Sequence, residues 1–173
     1  MAAIGCCIAT EDRTMTDAAY TSILVPTDGS DLALRALNEA FTLANLSGAT
    51  IHVLYVVDDT KVAELATDSG FDDMSFDTDV DRLFERFEAI GEHAIEDLRN
   101  AANERGVDLK TAIRTGIPDE TILVYVEENG IDLLVMGTHG RRGVRRYLLG
   151  STTEQVLRRA PVPVLTVRQE PNE

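Results

Sequence analysis

Ile131-Asp132-Leu133-Leu134-Val135-Met136-Gly137-Thr138-His139-Gly140, followed after nine residues by Gly150-Ser151, is the stretch that decides how this chain folds. The apolar run Ile131 to Met136 has the nearly continuous hydrophobicity of a strand buried on both faces. It leads straight into glycines, and a helical pattern from Thr152 to Arg159 leads out. The glycines therefore sit where a strand hands over to a helix, the place where backbone N–H groups are free to bind an anion. Gly137 and Gly140 let the backbone approach a ligand without an intervening Cβ. Gly150-Ser151 puts a hydroxyl and unpaired amides at the next helix start. Isolated glycines mark turns in any protein, but a cradle bounded at both ends of one loop, after a buried strand, reads as a phosphate site.

Working outward, Ile23-Leu24-Val25 reads as a first strand and Ser30 as a helix cap. Leu34, Leu37, Phe41 and Ala44 then fall on one helical face, and Gly48 is the stop. Ala49 to Val57 is a second strand rich in β-branched residues. A long helix from about Val80 to Glu104 carries Val80, Leu83, Phe84, Phe87, Ile90, Ala94, Ile95 and Leu98 and closes at Gly106. Val107 to Arg114 is the third strand. Pro118 opens a helix with Ile122 and Val126 inward, which Gly130 ends before the Ile131 strand. After the glycine cassette the last helix stops before Pro161, and Val162 to Val167 is the fifth strand. Five strands alternating with four helices predict an α/β fold, a single doubly wound five-stranded parallel sheet with helices on both faces and right-handed crossovers. Ligands of such sheets bind beyond the carboxyl ends of the strands, where the strand order reverses.

Between Asp58 and Asp81 lie nine acidic residues and one lysine with no clear period. This segment predicts a long mobile loop, either a lid or partner surface or a solvated insertion. Residues 1–20 lack a sustained period and read as a disordered lead, with Met15 an alternative start to Met1. Residues 21–168 form the predicted folded domain and 169–173 a C-terminal tail.

The 173 residues, 44% hydrophobic, suit one domain with a sizeable core. No apolar stretch approaches the roughly 20 residues that span a bilayer, and the N-terminus has no basic region followed by a long apolar one. A cytoplasmic protein with no membrane partner is expected. Cys6 and Cys7 are the only cysteines, so neither a disulfide framework nor a four-cysteine zinc site can be built from them. The net charge is −14, from 30 acidic and 16 basic residues, and the basic ones are 14 arginines and two lysines, Lys61 and Lys110. Such a charge argues against nucleic acid as a partner and suits a salt-rich cytoplasm that screens the repulsion; an acidic mesophile protein is the alternative.

The first strand ends Val25-Pro26-Thr27-Asp28-Gly29-Ser30, at the same sheet edge as the glycine cassette. Asp28 is placed either to meet a sugar hydroxyl or base edge or to serve as a turn acid that favours the helix dipole. With these residues, Leu54-Tyr55-Val56-Val57-Asp58, Gly116-Ile117-Pro118, Met136-Gly137-Thr138-His139-Gly140 with Gly150-Ser151, and Pro161-Val162-Pro163-Val164-Leu165, the chain resembles the universal stress protein family from Thr21 to Arg168. The pattern GxxG, nine residues, Gly-Ser is that of the family's ATP-binding branch. The resemblance implies an adenine-nucleotide alpha-hydrolase-like sheet of order 3-2-1-4-5, a nucleotide between strands one and four, and a homodimer. It also implies that Pro26, Thr27 and Asp28 line the adenosine side, Asp28 holding ribose, with Val56 near the adenine and Met136 and Gly137 completing the floor. Gly140, Gly150, Ser151 and Thr152 would bind the phosphates, with Mg²⁺ or Mn²⁺ as a companion ion.

Arg141, Arg142, Arg145 and Arg146 form a local +4 between the glycines, which favours phosphate attraction; pairing with surface carboxylates is the alternative for some of them. His139 stands beside the cradle, to contact a phosphate or close a turn. His52 and His93 have no neighbouring Cys/His cluster and read as structural. Neither a GxxxxGK[ST] P-loop nor a lysine is present in the cassette, and sequence places no obvious general base, so no catalytic or protein-held metal residue is assigned. Three functions fit: an ATP-binding regulator of the stress response, acting on an unidentified protein partner; a slow ATPase or self-phosphorylating enzyme with Ser151 or Thr152 as acceptor; and an interaction module that binds AMP or no nucleotide. An edge strand as apolar as Val162 to Val167 is expected to be covered by the same strand of a second copy.

Overall fold

The computed structural model describes residues 20–68, 76–107, 109–138 and 149–168. The elements in chain order are β1 (Ser22–Thr27), α1 (Asp31–Ser47), β2 (Thr50–Asp58), α2 (Asp59–Asp68), α3 (Phe76–Asn103), β3 (Leu109–Gly116), α4 (Pro118–Glu128), β4 (Leu133–Gly137), α5 (Ser151–Arg159) and β5 (Val164–Val167). All five strands run parallel in one sheet of order β3-β2-β1-β4-β5, the predicted topology.

Strand side chains alternate between the two faces, and the helices divide accordingly. Ile23, Val25, Ile51, Val53, Tyr55, Val57, Leu133 and Val135 pack with α1 and α3 on one face. Leu24, Leu54, Leu134 and Met136 pack with Ile122 and Val126 of α4 and Val156 of α5 on the other. Burying a Leu, Ile or Val side chain is worth about 1.5–3 kcal/mol, so the double alternation commits each strand to a single register. α1 starts as predicted: the Ser30 hydroxyl accepts from the Ala33 N–H, and Gly48 ends the helix at φ 73°, a left-handed conformation that glycine adopts without a Cβ clash.

Three expectations are corrected. The acidic segment Asp58 to Asp81 is not a continuous loop: α2 occupies Asp59–Asp68, and α3 begins at Phe76, earlier than the predicted Val80. Among the described side chains of α2 only Val62, 1% exposed, is buried, too little to show a helical period. A capping aspartate supplies the start signal. Asp58 accepts from the Lys61 N–H and the Thr60 hydroxyl, and the Lys61 ammonium closes on it at 2.7 Å. Burial pushes the Asp58 carboxyl up, but these hydrogen bonds and the Lys61 charge outweigh it and hold the pKa below the ordinary value. Second, Leu34 is 39% exposed and does not join the buried face of Leu37, Phe41 and Ala44; Ile90 on α3 is likewise uncovered. Third, β5 is four residues long and excludes Val162 and Pro163. Residues 1–19, 139–148 and 169–173 lie outside the described residues, while Tyr20, assigned to the lead, is partly buried against the α1/α3 core.

Candidate functional site

β1 and β4 are joined firmly at their amino ends and part toward their carboxyl ends. The Asp132 carboxylate accepts from the Thr21 N–H at 2.8 Å, the Thr21 hydroxyl at 2.7 Å and the Ser22 N–H at 3.1 Å. Pairing between the two strands then covers only Ile23↔Leu133 and Leu24↔Leu134. On either side the ladders continue to the strand ends, to Thr27↔Tyr55 between β1 and β2 and Gly137↔Val167 between β4 and β5. The sheet therefore opens at its carboxyl edge where its strand order reverses, the position at which open α/β sheets take ligands.

One wall of this opening is the β1–α1 turn. Thr27 is 7% exposed, and its hydroxyl accepts from the Gly29 N–H at 3.1 Å; the Asp28 carboxylate accepts from the Ser30 N–H at 3.1 Å. Asp28 thus performs the turn role that was one of its two readings. Gly29, at φ 75°, supplies the left-handed residue that the turn needs. Pro26 is half-buried. Val56, one residue past the Thr27↔Tyr55 pair, flanks Asp28 across the ladder and packs its side chain toward the α4 face.

The opposite wall runs from β4 to α5. Met136 is 4% exposed and belongs to the α4/α5 core, so the residue of β4 that reaches the opening is Gly137. Two threonines that sequence reasoning passed over hold this wall together. Thr138 donates its N–H to the Val167 carbonyl at 2.9 Å, and its own carbonyl accepts from the Gly150 N–H at 2.8 Å. The Thr153 hydroxyl donates to the Gly137 carbonyl at 2.9 Å. The first turn of α5 is thereby bolted to the end of β4. The available signal for Thr153 was a hydroxyl in the first turn of a helix whose cap, Gly150, has no side chain.

This geometry corrects one role. Gly150 was expected to offer its amide to phosphate, but that N–H is bonded to Thr138. The first-turn residues Ser151 and Thr152 have no side-chain cap, since the N-cap is Gly150 in an extended conformation, φ −64° and ψ 149°. An anion is the natural partner for such a helix start. His139, Gly140 and Arg141, with Arg142, Arg145 and Arg146, fall outside the described residues.

Elsewhere His52 is buried under α4, its Nδ1 3.1 Å from the Tyr125 hydroxyl. Burial and the charge of Lys110 lower its pKa, while burial raises that of Tyr125 against the opposing charge of Arg114. His93 is exposed on α3. Among the described residues no group of three or more His, Cys, Asp or Glu is arranged to hold a metal ion, and no helix is long and apolar enough to cross a membrane.

Comparison with known proteins agrees with this architecture. The model of the universal stress protein family matches residues 19–168. A universal stress protein of Methanocaldococcus jannaschii is 34% identical over 154 residues, 89% of this chain and 85% of that protein. Among solved structures, the universal stress protein UspA from Lactobacillus plantarum superposes with a TM-score of 0.70 at 36% identity, covering 86% of this chain and 98% of that one. A universal stress protein in complex with cAMP superposes with a TM-score of 0.57 at 25% identity, covering 87% and 98%. With its parallel sheet, its strand order and a family match over nearly all of the folded region, this chain belongs to the universal stress protein family.

Proposed function

We propose that this protein binds an adenine nucleotide, ATP in the first instance, in the opening between β1 and β4, and that the bound nucleotide acts as a regulatory ligand in the response to stress. The observation that carries the proposal is the parting of β1 and β4 directly beside an α5 start whose first-turn residues have no side-chain cap. That pairing offers a slot for a flat, partly apolar group and an anion site at one end of it. The relative bound to cAMP supports an adenine nucleotide as the ligand class.

In this reading Pro26, Thr27, Asp28 and Val56 border the nucleoside, and Met136 backs the Gly137 floor from the core. Ser151 and Thr152 meet the phosphates, together with His139, Gly140 and Arg141. Gly150 acts by its shape, keeping the approach clear, because its N–H holds Thr138. Mg²⁺ or Mn²⁺ accompanies the phosphates and neutralises part of their charge. The protein works in the cytoplasm of a salt-adapted cell, as a homodimer through its β5 edge, and keeps its ATP intact over many minutes.

The test is calorimetric titration of the purified full-length chain with ATP, AMP and cAMP, with and without Mg²⁺, alongside mass spectrometry of nucleotide released on denaturation. Gly150→Val is accepted by the backbone at φ −64° and fills the approach to the phosphates, so it should remove ATP binding from a folded protein. Unchanged affinity in the folded variant would sink the assignment.

A further inference from the structure

The inward stripe of α3 runs Phe84, Phe87, Gly91, Ile95 and Leu98, three or four residues apart, and at Gly91 it lacks a side chain. Gly91 is buried, and it lies mid-helix without the positive φ of Gly29, Gly48, Gly106, Gly116 and Gly130. Alanine is the better helix former at such a position, so the glycine is there for the space it leaves. A Cβ added to Gly91 would lie 2.6 Å from Tyr55 Cδ1, 2.9 Å from Cε1 and 3.0 Å from Cγ. These atoms belong to the body of a rigid ring. Tyr55 is 7% exposed and is the only ring among the described strand residues of this core, the others being valine, isoleucine and leucine. The gap in the stripe of α3 thus receives the one ring that rises from the sheet.

Tyr55 stands next to two residues that border the opening at the carboxyl edge of the sheet. Across the ladder it pairs with Thr27, and along the chain it precedes Val56. Paired residues of neighbouring strands direct their side chains to the same face about 4.8 Å apart, so the ring flanks the Thr27 side chain. Thr27, also 7% exposed, holds the Gly29 N–H through its hydroxyl at 3.1 Å and so shapes the β1–α1 turn. On the other side the ring is flanked by Ile113, its ladder partner on β3. α3 itself meets the turn here, since Gly29 and Ser30 face Ala89, Ile90 and His93 across one groove. An added methyl at Gly91 therefore either lifts α3 off the turn or drives the ring against Thr27 and Ile113, and both displacements reach Thr27 to Gly29.

We propose that Gly91 is a positioning residue for the nucleoside end of the site: its missing side chain seats the Tyr55 ring under α3, and the seated ring fixes Thr27 beside it and Val56 after it. This role rests on the adenine-nucleotide reading above. The phosphate end is held separately, by Thr138 and Thr153 between β4 and α5. The two ends therefore respond differently to a change at Gly91.

The experiment compares full-length wild type, Gly91→Ala, Tyr55→Leu, the double variant, and Glu88→Ala as a change on the exposed face of α3. Calorimetric titration with ATP and AMP gives the affinities, amide chemical-shift mapping of the nucleotide-free protein gives the placement of the turn, and scanning calorimetry gives Tm. Gly91→Ala should weaken ATP and AMP by the same factor, at least fivefold, leaving the ratio of the two affinities, set at the phosphate end, unchanged. In the nucleotide-free protein the amides of residues 27–30 and 56 should shift, and those of 151–153 should not. Leucine can turn aside where the ring cannot, so in the Tyr55→Leu protein the added methyl should weaken binding less than twofold. Glu88→Ala should change neither affinity nor the turn amides. Wild-type affinity for both nucleotides in Gly91→Ala, with only Tm lowered as a purely structural role would give, or turn amides that stay in place, would overturn the proposal. Failure of the wild type to bind either nucleotide would remove the nucleotide reading instead, and the shift map of Gly91→Ala would still decide whether the ring seat positions the turn.

Discussion

Replacing Thr153 with valine tests whether the bolt between β4 and α5 organises the nucleotide site. The Thr153 hydroxyl donates to the Gly137 carbonyl at 2.9 Å from a side chain 4% exposed, so valine keeps the shape and removes only the donor. The Gly137 carbonyl then loses its partner in a partly buried position, at a cost of about 1–2 kcal/mol, the lower part of the range for an unsatisfied buried acceptor. Valine and threonine have similar helix propensities, so little offsets this. For a domain of this size each kcal/mol lowers Tm by roughly 2–4 °C, which sets the expected drop at roughly 2–8 °C. With the first turn of α5 released, the amides of Ser151 and Thr152 lose their fixed aim, and ATP affinity should fall about tenfold, or ~1.4 kcal/mol. Urea unfolding and calorimetric titration of wild type, Thr153→Val and Thr153→Ser measure both effects. Serine retains the hydroxyl and should recover most of the affinity. A valine variant with wild-type stability and wild-type ATP affinity would refute the bolt altogether, and lost stability with unchanged affinity would confine it to folding.

His52 predicts acid sensitivity: burial and Lys110 lower its pKa from 6.5, so below pH 6.5 the unfolded chain takes up a proton that the native state resists. Stability is then lost as pH falls, by at most about 1.4 kcal/mol per pH unit from this group, and His52→Leu should flatten that part of the urea-unfolding profile between pH 7.5 and 5. If the net charge of −14 is a salt adaptation, Tm should climb steeply from low salt to molar KCl; a flat response in differential scanning calorimetry defeats the idea. For the dimer, Leu165→Lys should shift the sedimentation profile toward monomer, because Leu165 is the β5 residue left 39% exposed. Val164 and Val167 are packed into the two cores and are unsuitable targets. A wild-type monomer at micromolar concentration would remove the β5 interface.

The topology of this protein was legible in its sequence because each strand announces itself twice, by an apolar run and by the punctuation around it. Ser30 and Gly48 bracket α1, Pro118 opens α4, and Ile131 to Met136 runs into Gly137; these are local signals governed by backbone preference, and they survive into the fold. Of the glycine cassette, Gly137 at the end of β4 and Gly150 at the cap of α5 stand where the sequence placed them. Helix α2 was not legible, because one buried position among its described side chains, Val62, makes no period and its start depends on the Asp58 side chain folding back onto Lys61.

Only tertiary structure decided what those local signals are attached to. Whether Leu34 and Ile90 are core or surface depends on how closely α3 approaches β2 at Gly91, a distance no helical period encodes. β5 is the edge strand that its place in the order implies, but Val164 and Val167 are partly buried against the two faces of their own sheet, leaving Leu165 exposed. Gly150 looked like a phosphate donor, and its amide is bound to Thr138. The opening between β1 and β4 lies beyond the two positions at which they pair, next to the end that Asp132 ties to Thr21 and Ser22, 110 residues away in the chain. Sequence specifies which residues prefer strand, turn or helix start through contacts a few positions apart; which hydrogen bonds are already taken, and which surfaces remain uncovered, is settled by neighbours tens of residues away.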